Sequence, residues 1–159
     1  EISGRVADGT ILADFVNADY VRWARGIVGD EHRITVFASL AMGPTEAHPL
    51  IREGMAGYLA EVAQGIEGVP VSLRMAPFFD ELAGQAAASS WFDAAMAMPE
   101  HWLTQIAAFG TPDQAAGYVQ SLVEAGADAV AFFPSPEDPL DDGAYAAEEL
   151  LPLVRSQAS

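Results

Sequence analysis

Residues 110–134, GTPDQAAGYVQSLVEAGADAVAFFP, read as a helix, a glycine stop and a buried strand, and that order leaves few folds open. Thr111 suits an N-cap and Pro112 the first helical position, and Gln114 completes a capping box. Ala115, Val119, Leu122 and Val123 recur at helical spacing and predict the inner face. Gly126 is expected to end the helix, because glycine enters the left-handed region without steric cost. Ala129–Pro134 is apolar without alternation, the pattern of a parallel strand covered on both faces. A helix followed by such a strand belongs to a barrel or an open α/β sheet.

The remainder of the chain repeats the theme. Thr10–Phe15 and Arg33–Met42 predict two more strands, the first after a helix exit that ends at Gly9. Asn17 is placed to cap a helix with Tyr20, Val21, Ala24 and Val28 inside. A second helix, residues 49–64, carries Ile51, Met55, Tyr58, Leu59 and Val62, and a last one, residues 144–155, carries Ala147, Leu150, Leu151 and Val154. Between them, residues 66–109 predict a helical insert of two or three short helices, with a short extended piece near EGVPVSLR. Strands alternating with helices favour a parallel sheet with right-handed crossovers. Three strands close nothing, so the open edge and the Trp- and Phe-bearing insert are expected to be buried against the rest of a larger barrel or a second subunit.

With 159 residues, the chain is one domain, read as a single partial unit over residues 1–159. Its net charge is −16, from 23 acids against seven bases, which makes nucleic acid and anionic membrane poor partners. All seven bases are arginine, so no Schiff-base lysine exists in this chain, and the absence of cysteine removes thiolate chemistry and Cys-ligated metal. No apolar run approaches the ~20 residues of a membrane helix, no signal segment opens the chain, and the expected location is cytoplasmic.

SGRVADGTIL (3–12) followed by ADYVRWAR (18–25) resembles the bacterial luciferase-like monooxygenase family, whose members carry an A-G-x-x-A-D-G-x-x-L segment and a helix of the PEYVRWAR kind. GTPDQAAGYVQSLVEAGADAVAFFP is similar to that family's closing GTPEEVAERLxxLVEAGADxVVLxP, and EELLPLVR (148–155) to its final helix. The resemblance covers residues 1–42 and 105–155 and is weak between them. It implies the C-terminal part of a (β/α)8 barrel that uses FMN or the deazaflavin coenzyme F420 for hydride transfer or oxygenation of a small organic substrate. The turn that binds the cofactor phosphate would fall before Glu1. The chain is therefore expected to be inactive alone, as a fragment or as a short member needing the missing N-terminal half, a second subunit or a homo-oligomer. The competing expectation is a non-catalytic half-barrel module that dimerises or supports a partner. A phosphate-binding barrel of another kind, such as an aldolase, ranks third.

In barrels of this kind the site lies at the carboxyl ends of the strands. That rule selects Asp14 and Phe15, then Met42 and Gly43, then Phe133 to Ser135. Asp14 is either a hydrogen-bonding group for cofactor or substrate or a solvated loop acid. Phe15 and Phe133 either wall a flat ring or fill the core, and Met42 likewise. No catalytic residue is assigned. His48 is the candidate for proton transfer, against the plain reading of an exposed histidine at a helix start. His32 falls on the opposite, N-terminal face and reads as structural or solvated. His101 lacks acids at metal-ligand spacing, and no metal site is expected. Glu137, Asp138, Asp141 and Asp142 lack the spacing of a calcium loop and read as a solvated loop. Gly110-Thr111 reads as helix capping before anion binding. Arg52 and Arg74 read as surface ion pairs before anion contacts.

Overall fold

A computed structural model describes residues 6–43, 48–65, 68–133 and 143–157, the side chains of His48 and Gln157 excepted. Among the described residues, four parallel strands make the sheet: β1 (Gly9–Leu12), β2 (Arg33–Met42), β3 (Ala108–Gly110) and β4 (Ala129–Phe133). β2 is central. It pairs with β1 from Gly9↔Arg33 to Leu12↔Val36, with β4 from Thr35↔Ala129 to Ser39↔Phe133, and with β3 from Leu40↔Ala108 to Met42↔Gly110. The helices are α1 (Ala18–Val28), α2 (His48–Gln64), the short α3 (Val71–Arg74), α4 (Phe79–Ala88), α5 (Trp91–Met96) and α6 (Glu100–Ile106), then α7 (Pro112–Glu124). After β4, a π-helical turn (Ala146–Leu150) runs into α8 (Leu151–Gln157). A mixed α/β architecture on a parallel sheet is thus observed. No helix among the described residues is long and apolar enough to cross a membrane.

Local chemistry explains most boundaries. Asn17 caps α1 by accepting the Tyr20 N–H at 3.0 Å. Thr111 and Gln114 form both halves of the capping box on α7. Gly126 sits at φ 107°, which favours glycine, and a Cβ there would also crowd the Arg25 side chain at 3.2 Å.

Several expectations are corrected. β1 stops at Leu12 rather than Phe15, because Asp14 and Phe15 adopt left-handed backbone; Gly9 begins the strand instead of ending a helix. Residues 71–74 are helical rather than extended, and β3 was not foreseen. Val123 is 49% exposed, and Tyr118 takes the buried place instead. In the final helix Ala147 and Leu151 are exposed, and Ala146 and Leu150 are buried, with Leu153 and Val154 packed against them. The extra residue in the π turn rotates the apolar face by one position. β4 is half-buried along its whole length rather than covered on both faces. One face of the sheet packs under α1 and α7 through Leu12, Ile34, Val36, Ala38, Tyr118 and Leu122, whereas Ile11 on the other face is 70% exposed and Phe37 42%. Towards the carboxyl ends this inner face is covered, with Ala41 buried in the insert core; around Ile11 and Phe37 it stays open among the described residues.

The insert has its own core. Phe78 stacks on Trp102 at 4.8 Å between ring centroids, and Leu73, Leu82, Met98 and Leu103 join them against Met55 and Leu59 of α2. Most of the insert's large apolar side chains are therefore buried within this chain, and burial of each contributes about 1.5–3 kcal/mol. Arg52 ties α2 to the same unit: it donates to the Met98 carbonyl and lies 5.8 Å from the Phe109 ring, and it forms no ion pair among the described residues.

Candidate functional site

At the carboxyl end of β1 the backbone turns through two successive left-handed residues, Asp14 (φ 59°) and Phe15 (φ 54°). For non-glycine residues this costs on the order of 1–2 kcal/mol each. The turn sends neighbouring side chains into different cores: Phe15 enters the insert core and Val16 the core between sheet and outer helices.

Side chains from distant elements hold the turn. The Tyr58 hydroxyl, from α2, donates to Asp14 Oδ1, and the Ser72 hydroxyl, from α3, donates to the Asp14 carbonyl. Asn17 Nδ2 donates to the Ser72 carbonyl at 2.7 Å, and the Tyr118 hydroxyl to the Val16 carbonyl at 2.8 Å. Burial above all, then the hydrogen bond and charge of Asp14 and the charge of Glu61, push the Tyr58 hydroxyl far above its ordinary range. Tyr58 is thus fixed as the neutral donor and Asp14 as the acceptor. Burial alone raises Tyr118 in the same direction.

Aromatic rings continue from this turn towards the open inner face. Phe15 lies 5.2 Å from Tyr58, Tyr58 meets Phe133 edge-on at 6.4 Å, and Phe133 stacks on Phe37 at 5.2 Å. The ends of β1 and β4 and the helix after β2 therefore present a half-buried carboxylate beside flat apolar walls.

Among the expected site residues, Asp14, Phe15 and Phe133 come together through Tyr58. Met42 is 3% exposed and buried within the outer core. Ser135, the side chain of His48 and the acids at 137, 138, 141 and 142 lie outside the described residues. His32 is buried on the opposite end, with its Nε2 2.7 Å from the Thr10 hydroxyl. His101 is exposed, and no cluster of three potential metal ligands exists among the described residues. At the start of α7 the capping box engages the Thr111 and Gln114 N–H groups, and Gln114 also donates to Glu100 at 2.7 Å, so Gly110-Thr111 serves helix capping. Arg74 is exposed.

Tyr58 and Ser72 were not singled out from the sequence. Tyr58 read as one member of an apolar helix stripe. A tyrosine on such a stripe needs a hydroxyl partner when buried, and that was the available signal.

A separate open groove of about 400 Å³ runs between α1, α6 and α7, lined by Asn17, Asp19, Arg22, Gln114 and Tyr118 among others, with no strand residue in its wall. Arg22 is engaged there by Asp19 at 2.5 Å. The strand ends, with their pinned turn, carry the stronger chemical argument.

No family model matches this chain, and no curated protein matches it by sequence. Among solved structures, its fold is similar to that of the coenzyme F420 dependent tetrahydromethanopterin reductase from Methanopyrus kandleri, at a TM-score of 0.58 and 16% identity. The alignment covers 94% of this chain and 46% of the reductase, so the chain spans less than half the length of that protein. At this identity the likeness is one of fold.

Proposed function

We propose that this chain is the C-terminal part of a luciferase-like oxidoreductase barrel that uses a flavin or deazaflavin, FMN or coenzyme F420, on a small organic substrate. The observation that carries the reading is the pinned Asp14–Phe15 turn with its aromatic flank, at the carboxyl ends of parallel strands in a fold shared with an F420-dependent reductase. The bound ring would supply the hydride chemistry, and the protein its position and electrostatics. In this reading Phe133 and the neighbouring Phe37 offer a flat wall, Phe15 and Met42 back it from the two cores, and Asp14 supplies a polar contact. Ser135 is a further candidate for cofactor contact, and His48 is the candidate for proton transfer. The strands that cover Ile11 and Phe37 come from the N-terminal half of the barrel or a second subunit, with residues 66–109 as an insert in this partial domain.

Titration of the native-size protein with FMN and with coenzyme F420, read by ring fluorescence, tests this. Saturable quenching by either is expected, and absence of binding by both overturns the reading. The open inner face of the sheet favours one alternative, a non-catalytic half-barrel that pairs with a partner through that face. A stable assembly of 16.8 kDa chains that binds neither ring is the result which would favour it.

A further inference from the structure

We infer that Asp14, held by Tyr58, is the acceptor that orients the ring: its second carboxylate oxygen receives an N–H from the imide edge of a planar heterocycle lying against Phe133. The inference rests on the flavin or deazaflavin reading and goes further, because it assigns which edge of the ring faces β1 and gives Tyr58 a positioning role.

Three observations converge on it. One Asp14 oxygen is engaged by the Tyr58 hydroxyl, and no other side-chain donor among the described residues reaches the carboxylate. The group is half-buried, so an incoming donor meets a carboxylate partly stripped of water, where a charge-assisted hydrogen bond is stronger than in solvent. The left-handed backbone is itself the third. Glycine, asparagine or aspartate all suit φ 59°, yet a half-buried phenol and a buried serine converge on this residue's side chain and carbonyl. A turn needed only for chain reversal would be satisfied by glycine without them.

The chemistry narrows the ligand. An acceptor beside aromatic walls suits a neutral ring with a donating N–H. FMN and coenzyme F420 both present one between two carbonyls, and an anionic edge would be repelled. Because Tyr58 stays protonated, it cannot exchange roles with Asp14, and the polarity of the pair is fixed.

The test uses native-size protein freed of bound ligand and two probes, lumiflavin and its analogue methylated at the imide nitrogen, with affinity read by fluorescence. The wild type is expected to bind lumiflavin about tenfold more tightly, the equivalent of one charge-assisted hydrogen bond. Asp14→Gly removes the acceptor and keeps a residue that favours the left-handed backbone, so the fold is retained and the ratio falls to about one. Tyr58→Phe, which frees the carboxylate to rotate, lowers the ratio about threefold. A purely structural role would shift stability and leave the ratio alone. Equal binding of both probes by the wild type, or an unchanged ratio in Asp14→Gly, overturns the assignment and leaves the flavin reading standing. Failure of the wild type to bind either ring overturns the flavin reading and the assignment with it.

Discussion

The two ends of the sheet are tied together by different means. At the amino ends of the strands, Arg25 of α1 reaches across more than a hundred residues. Its guanidinium donates to the carbonyls of Gly126, at 2.6 Å, and His32, and to Asp128 at 2.7 Å. Asp128 in turn accepts the Ile34 N–H at 2.7 Å. The groups of this network close on one another, and its conformational demands, at Gly29 and Gly126, are met by glycine. At the carboxyl ends the demand falls on Asp14 and Phe15, and the polar network ends in a carboxylate whose second oxygen meets no side-chain donor among the described residues. One end closes on itself; the other keeps strain and an acceptor oxygen that no described side chain engages.

Breaking the finished end should cost the most. Arg25→Ala leaves the Gly126 and His32 carbonyls without their donor, and unfolding in urea should show a loss of about 3 kcal/mol. The Asp128 ion pair adds little to that figure, because Asp128 is 42% exposed and screened. Ring affinity, per mole of folded protein, should not change. Ser72→Ala at the other end is the converse experiment. Losing one hydroxyl bond to the Asp14 carbonyl should cost about 1 kcal/mol of stability. If the proposed flavin or deazaflavin site is correct, the loosened turn should also weaken binding of FMN or coenzyme F420. A Ser72 variant that loses stability without losing affinity would erase the functional distinction between the ends.

The same contrast governs what could be read from the sequence. The finished parts were legible because their signals are local. The Asn17 cap, the Thr111–Gln114 box, Gly126 and the bounds of β2 each depend on residues a few positions apart, and the structure has all of them. Asp14 and Phe15 were placed at the right end of β1 by the rule for such barrels, but nothing local foretold their backbone. That conformation is imposed by Tyr58, 44 residues away, and Ser72, 58 away. The half-covered state of β4 was missed for a related reason. A continuous apolar run records that both faces suit burial, whereas what lies opposite the inner face is not written in the strand itself. The shifted stripe of the last helix followed from a π turn, which has no reliable sequence signature.

The smallest expected effect is a difference in pH response between the ends. The Ile34 N–H first, then Arg25, hold the Asp128 carboxyl below its usual range. Its contribution is therefore complete above the unfolded carboxylate value near ~4 and is lost as pH falls through the lower folded value. Tyr58 lies on the other side. Its hydroxyl is raised by burial and by Asp14, so its contribution is complete below the unfolded tyrosine value near ~10 and fades as pH rises beyond it. Thermal midpoints measured across pH for the wild type, Asp128→Asn and Tyr58→Phe should separate the two. The Asp128→Asn difference should shrink in acid and persist in alkali. The Tyr58→Phe difference should persist in acid and shrink above about pH 10, where the wild type alone must keep the hydroxyl protonated to stay folded. Buried Tyr118 is raised in the same direction and is common to all three proteins, so it cancels in the comparison. Parallel curves in acid and alkali would mean that neither end is held by the protonation state its geometry requires.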